Sequence, residues 1–171
     1  TTLRVLSQLR RDPRTVALLL VVPLLLVFLL HELFADRPTV FDRIGAPLLG
    51  IFPFVSMFVV TSITMLRERV SGTLERLLTM PIAKLDLLAG YGLAFALVAA
   101  VQATVVSLVA LWLLDLDVAR SPALVVLLAI ANAVLGMALG LFVSAFARTE
   151  FQAVQFMPAL VLPQVLLCGL I

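Results

Sequence analysis

With 171 residues, 63% of them hydrophobic against 13% charged, and a mean hydropathy of +1.21, the chain carries far too much apolar surface for water to be its main solvent. The net charge of +2 comes without a soluble basic domain, which gives nucleic-acid binding little support, and the single cysteine, Cys168, excludes an intrachain disulfide framework or a cysteine metal cluster.

A bilayer core about 30 Å thick takes roughly 20 apolar residues to cross as a helix. Five long stretches lack Asp, Glu, Lys and Arg: Thr15–His31, Ile44–Leu66, Leu87–Leu114, Ser121–Ala147 and Phe151–Ile171. Lipid offers no partner to unpaired backbone groups, and barrel strands would be shorter and alternating, so all five are predicted as helices. The fold class is therefore all-α, a single polytopic transmembrane domain over residues 1–171 with spans at about 15–33, 44–66, 87–114, 121–147 and 151–171. Before the first span, Thr2–Arg14 mixes Leu3, Val5, Leu6 and Leu9 with Arg4, Arg10 and Arg11, which suits an interfacial helix ahead of Pro13. The first stretch is no signal peptide, because four more spans follow and a convincing small-residue cleavage site is lacking. A start at Thr1 and a stop at Ile171 inside an apolar run give the expectation that the sequence is an excerpt of a longer protein.

Short cytoplasmic loops collect Lys and Arg, so charge sets the orientation. Arg4, Arg10, Arg11, Arg14, Arg67, Arg69, Arg76, Lys84 and Arg148 fall on one side, nine in all, and only Arg37, Arg43 and Arg120 on the other, with the acids Glu32, Asp36, Asp42, Asp115 and Asp117. The N-terminus is thereby predicted to be cytoplasmic. Residues 115–120 make a minimal turn, which predicts that the third and fourth spans lie side by side and antiparallel.

The most distinctive cytoplasmic segment is residues 67–82, between the second and third spans. As a helix it would put Val70, Leu74, Leu77 and Leu78 on one face and the pairs Glu68/Glu75 and Arg69/Arg76 on the other. Such a helix could rest its apolar stripe on the ends of the spans and offer its charged stripe to a soluble subunit, or it could be a headgroup-bound connector with no partner. Its Arg67, Glu68, Gly72, Thr73, Leu74, Glu75, Leu77, Leu78 and Pro81 resemble the cytoplasmic segment of the type-2 ABC exporter permeases. The run from Glu150 to Pro158, with Leu162, Pro163 and Gln164, is similar to the fifth span of their bacterial drug-exporter members.

That resemblance implies a permease of six spans, five of them present here, in the bacterial inner membrane. It implies a pairing of two copies, or of two related permeases, with two ABC ATPase subunits. ATP and magnesium would be bound by those ATPases and not by this chain, in agreement with the absence of a G-x-x-x-x-G-K-[ST] loop. The segment 67–82 would then be a coupling helix, with Arg67, Glu68, Gly72, Thr73, Leu74, Glu75, Arg76, Leu77 and Leu78 meeting the ATPase. The substrate would be hydrophobic or amphipathic, drug-like or lipid-like.

Within the spans the polar residues are uncharged: Ser56, Thr61, Ser62, Thr64, Gln102, Thr104, Ser107, Asn132, Gln155 and Gln164. Each is predicted first as a hydrogen-bonding contact between helices, and Gly136-x-x-x-Gly140 as a close-packing face. Pro53 with Ser56, and Gln155 with Pro158, could border a translocation path or serve helix packing. An ion-coupled secondary transporter would want ionisable groups near the midplane, and none is present. There is no nucleophile–base or metal motif for an enzyme, so no catalytic, cofactor or metal residue is assigned. A non-transporting scaffold subunit remains the other alternative.

Overall fold

The computed structural model describes residues 7, 13–73, 79, 84–118 and 121–167. Among these residues there is no strand. Six α-helices follow in chain order: α1 (Pro13–Leu33), α2 (Pro38–Val70), α3 (Lys84–Leu108), α4 (Pro122–Phe146), α5 (Glu150–Gln155) and α6 (Met157–Leu167), with a π-helical turn at Val109–Leu113 prolonging α3. Five helical stretches are long and apolar enough to cross a bilayer: Thr15–Leu33, Pro38–Val70, Asp86–Leu113, Pro122–Phe146 and Glu150–Leu167. The all-α, multi-span expectation is met. The interfacial segment Thr2–Arg14 lies outside the described residues, apart from Ser7 and the two residues that open α1.

Local sequence explains where these helices begin and end. Pro38 and Pro122 stand in the first turn, where a missing N–H costs nothing and a fixed φ favours the helix. Thr149 caps α5 by accepting a hydrogen bond from the Gln152 N–H at 3.2 Å, while Gln152 Oε1 accepts from the Arg148 N–H at 2.9 Å, a variant of the capping box. The last span is broken at Phe156. Pro158 has no N–H for the Val154 carbonyl, and the Phe156 N–H turns to that oxygen instead.

At 33 residues α2 is about 50 Å long, well beyond the hydrocarbon core and longer than the 44–66 expected for the second span. It is the spine of the bundle and runs parallel to α4. A Cβ on Gly136 would lie 2.3 Å from the Phe54 carbonyl oxygen, one on Gly140 would lie 2.7 Å from that of Phe58, and one on Gly50 would lie 3.0 Å from Asn132 Nδ2. The pairs 50/132, 54/136 and 58/140 share one offset of 82 positions, so the two helices keep register over two turns with backbone against backbone. The Gly136-x-x-x-Gly140 close-packing expectation is met, with α2 as the partner.

Helix α3 packs antiparallel against α4, as the short 115–120 connection predicts, and also against α2. One core joins Leu19, Met57, Tyr91, Phe95, Ala99, Ala103, Ala129 and Ala133, where alanines of α3 and α4 make room for the larger side chains. A second core, towards the Asp117 end, gathers Val27, Phe41, Leu49, Val106, Ala110 and Leu116. Helix α1 leaves Leu18, Val21, Leu25, Phe28 and Leu29 exposed, as suits a helix whose outer face is solvated by lipid.

Candidate functional site

The end of the bundle that carries the predicted coupling residues is built from three helix termini. Helix α2 stops at Val70 because Gly72 adopts φ +71, a left-handed conformation that glycine takes without a Cβ penalty. The Ser71 N–H donates to the Arg67 carbonyl at 2.9 Å and the Gly72 N–H to that of Arg69 at 3.3 Å, closing the last turn. Nothing lies within 4 Å of where a Cβ on Gly72 would stand, so backbone conformation and not close approach calls for glycine here.

This corrects the picture of residues 67–82 as one helix. Residues 67–70 are the last turn of the second span, and the phase that aligned Val70 with Leu74, Leu77 and Leu78 is interrupted at Gly72. Leu74, Glu75, Arg76, Leu77 and Leu78 lie outside the described residues, whereas Thr73 is described and its hydroxyl sits 2.9 Å from Ser71 Oγ.

Two arginines on the final turn of α2 fasten the ends of two other helices. Arg67 Nε donates to Glu150 Oε1 at 2.6 Å and Arg67 Nη2 to Glu150 Oε2 at 3.2 Å, a forked pair that ties α2 to the first residue of α5. Arg69 Nη1 donates to the Ala145 carbonyl at 2.6 Å and Nη2 to the Ala147 carbonyl. These are carbonyls at the C-terminus of α4, left without helical partners, and a cation is favoured there. A recess of about 410 Å³ lies beside this junction, lined by Leu66, Arg67, Val70, Ser71, Arg148 and Glu150 among others. Arg67 is thus engaged within the chain. Glu68 is half-buried on the same turn.

The other sequence-predicted positions are dispersed. Pro53 is buried in α2, close to the α4 seam, and the Ser56 hydroxyl donates to the Phe52 carbonyl of its own helix at 2.9 Å. Gln155 and Pro158 are exposed on either side of the break at Phe156. Ser62 and Thr104 also bond carbonyls three or four residues back on their own helices, against the expectation of interhelical contacts, and Ser144 does the same. In a bilayer the nearest carbonyl is a side chain's readiest partner. Gln102 does cross between helices, from α3 to the Leu19 carbonyl of α1 at 2.7 Å. Among the described residues no group of three or more His, Cys, Asp or Glu could hold a metal ion.

The roles of Arg69 and Glu150 were missed by sequence reasoning. The signal available was the Thr149-x-x-Gln152 cap, which places a helix start, and hence the carbonyl-bearing end of the preceding helix, beside the arginine-rich end of α2.

Comparison with known proteins supplies the family. Over 128 residues, 75% of this chain and 18% of the relative, the sequence is 28% identical to ABC transporter G family member 20 of Dictyostelium discoideum. Over 122 residues, 71% of this chain and 33% of the relative, it is 29% identical to the probable multidrug ABC transporter permease YbhR of Escherichia coli K12. With G family member 23 of Dictyostelium discoideum the identity is 26% over 142 residues, 82% of this chain and 20% of the relative. The chain therefore spans a third or less of the length of these relatives. No solved structure matches it significantly. The model of the ABC-2 type transporter family matches residues 1–171, the whole sequence, and this multi-pass membrane chain belongs to that family.

Proposed function

We propose that the chain forms the membrane-spanning path of an ATP-driven exporter of hydrophobic or amphipathic molecules, with ATP and magnesium bound by a separate ABC ATPase subunit. The observation that carries this reading is the family match over all 171 residues, on a chain with five helical stretches fit to cross a bilayer. Similarity to a probable multidrug permease supports a lipophilic drug-like substrate, with a lipid or envelope component as the next choice. Two copies, or this chain and a related permease, would enclose the path. The arginine-rich end would face the cytoplasm of a bacterium, with the N-terminus on that side, and the permease itself would not be an enzyme.

The ATPase contact is assigned to the last turn of α2 and the segment that follows it, with Glu68 on that turn, Gly72 and Thr73 just after it and Leu74, Glu75, Arg76, Leu77 and Leu78 beyond. The rigid continuation of α2 to Val70 supports this, since a push on that segment is delivered directly to the spine of the bundle. To test the reading, the full-length permease is co-expressed with a candidate ABC ATPase from the same genome, purified and reconstituted. Co-purification of the two, and ATP hydrolysis that rises when a lipophilic dye is added and exported, is the expected result. A permease that never associates with an ABC ATPase would overturn it in favour of a scaffold or another transport class.

A further inference from the structure

A groove of about 330 Å³ opens between α2 and α4, lined by Ala46, Pro47, Gly50, Val125, Leu128 and Asn132 among others. Its one polar side chain is Asn132, half-buried and close to the middle of α4, a helix long and apolar enough to cross the bilayer. The Asn132 amide makes no hydrogen bond to any described residue. Gly50 stands opposite it, and a Cβ there would come within 3.0 Å of Asn132 Nδ2, so the glycine leaves the space in which the amide sits. An amide that finds no partner among the described residues at this depth is costly to leave unsatisfied.

The chemistry narrows the occupant. Bilayer lipids carry their ester groups at the interface and offer only hydrocarbon at mid-membrane, so they leave the amide unsatisfied. A second copy of the chain would present a helix surface, but Leu128 and Leu135, one turn to either side of Asn132 on the same face, are exposed at 59% and 46% and would hold it off the recessed amide. A slender molecule with a polar group inside an apolar body fits both the walls and the amide. The groove's volume is at the small end of the ligand-site range, about 300–1,000 Å³.

We propose that the α2–α4 groove at Asn132 binds a membrane-dissolved amphipathic molecule that brings a carbonyl, hydroxyl or amide group into the hydrocarbon, Asn132 supplying both donor and acceptor. Calling that molecule a transported substrate rests on the exporter reading, but its binding at Asn132 does not.

The test places the full-length protein in lipid nanodiscs without nucleotide, with two diazirine probes of equal length, one an alkyl chain interrupted by a secondary amide and the other a plain alkane. After photolysis the labelled residues are mapped by mass spectrometry. The amide probe should label Ala46 and Leu128 about fivefold more than the alkane, the factor expected for one net hydrogen bond, while lipid-facing Leu97 is labelled equally by both. Asn132→Leu should bring the amide probe down to the alkane's level in the groove and leave Leu97 unchanged, and Asn132→Gln should keep part of the preference. Equal labelling by both probes in the unmutated protein, or a preference that survives Asn132→Leu, would overturn the proposal. A disulfide forming between two copies of Asn132→Cys would likewise overturn it and assign the groove to a protein interface. Any of these failures leaves the ATPase association test standing.

Discussion

Gln102 Nε2 donates a 2.7 Å hydrogen bond to the Leu19 carbonyl, the oxygen that Pro23, four residues further along α1, cannot serve because proline has no N–H. A side chain of α3 thus repairs the backbone of α1 inside the membrane, where an orphaned carbonyl has no water to turn to. Gln102 is 1% exposed, so the bond is sealed within the core.

Pro23 and Gln102 should therefore be energetically coupled. Gln102→Leu is expected to lower the unfolding free energy by about 0.6 kcal/mol, the average for hydrogen bonds between membrane helices, and by no more than about 1.7 kcal/mol. In a Pro23→Ala background the alanine N–H restores the helical bond to Leu19, and the cost of Gln102→Leu should shrink by most of that amount. A double-mutant cycle on thermal unfolding in detergent measures it. Additive effects would show that Gln102 does not serve the carbonyl that Pro23 leaves open.

Two glycines should respond to alanine with opposite sign. Gly136→Ala forces a Cβ against the Phe54 carbonyl, a backbone atom with little freedom to yield, and is expected to destabilise by about 1–3 kcal/mol. Gly92 lies inside α3 with nothing within 4 Å of a new Cβ, so Gly92→Ala should stabilise by about 0.5–1 kcal/mol through helix propensity. Melting temperatures of the two variants beside the parent decide the matter, and a Gly136→Ala variant as stable as the parent or more so would refute the seam.

The forked Arg67–Glu150 pair is largely exposed, its side chains at 66% and 48%, which limits its worth to roughly 0–1 kcal/mol. A cycle of Arg67→Gln and Glu150→Gln should give a coupling within that range at low salt, smaller still at 1 M salt where screening acts over about 3 Å. A coupling that ignores salt would mean that the pair is buried in the assembled transporter.

Glu75→Ala tests force transmission. If the segment after α2 grips the ATPase, losing one charge-assisted contact of about 1.5–3 kcal/mol should weaken association tenfold or more, or uncouple hydrolysis from export, without affecting membrane insertion. Asp117→Ala, an exposed acid at the opposite end of the bundle, is the control and should be silent. Normal binding and export in both variants would remove Glu75 from the contact.

Orientation is tested by single cysteines labelled in intact cells. Cysteines at positions 36 and 117 should react from outside and one at position 76 should be protected, following the bias of nine basic residues against three. Labelling of position 76 from outside would invert the bundle and remove the ATPase contact with it.

The bundle was legible because hydropathy fixes helices in lipid almost unaided, and the 115–120 turn was short enough to force α3 beside α4. The dominance of the α2–α4 contact was not, although Gly136-x-x-x-Gly140 announced a close approach, because a motif on one helix does not name its partner. Likewise the pattern of Val70, Leu74, Leu77 and Leu78 suggested one long amphipathic helix, since periodicity passes over a single glycine that a left-handed φ converts into a terminus. Arg67 looked like a partner-facing charge because its acid, Glu150, lies 83 positions away in sequence.

The constant offset between α2 and α4 works as a key in a slot. Sliding α4 by one helical turn in one direction would bring Asn132 to the place where Gly136 now lets Phe54 through, and sliding it in the other would bring Ser144 to the place of Gly140 against Phe58. Either step drives a side chain into a carbonyl, so an axial ratchet between these helices is closed to the molecule. Whatever cycle the bundle performs, the shared register requires α2 and α4 to tilt or turn as one piece.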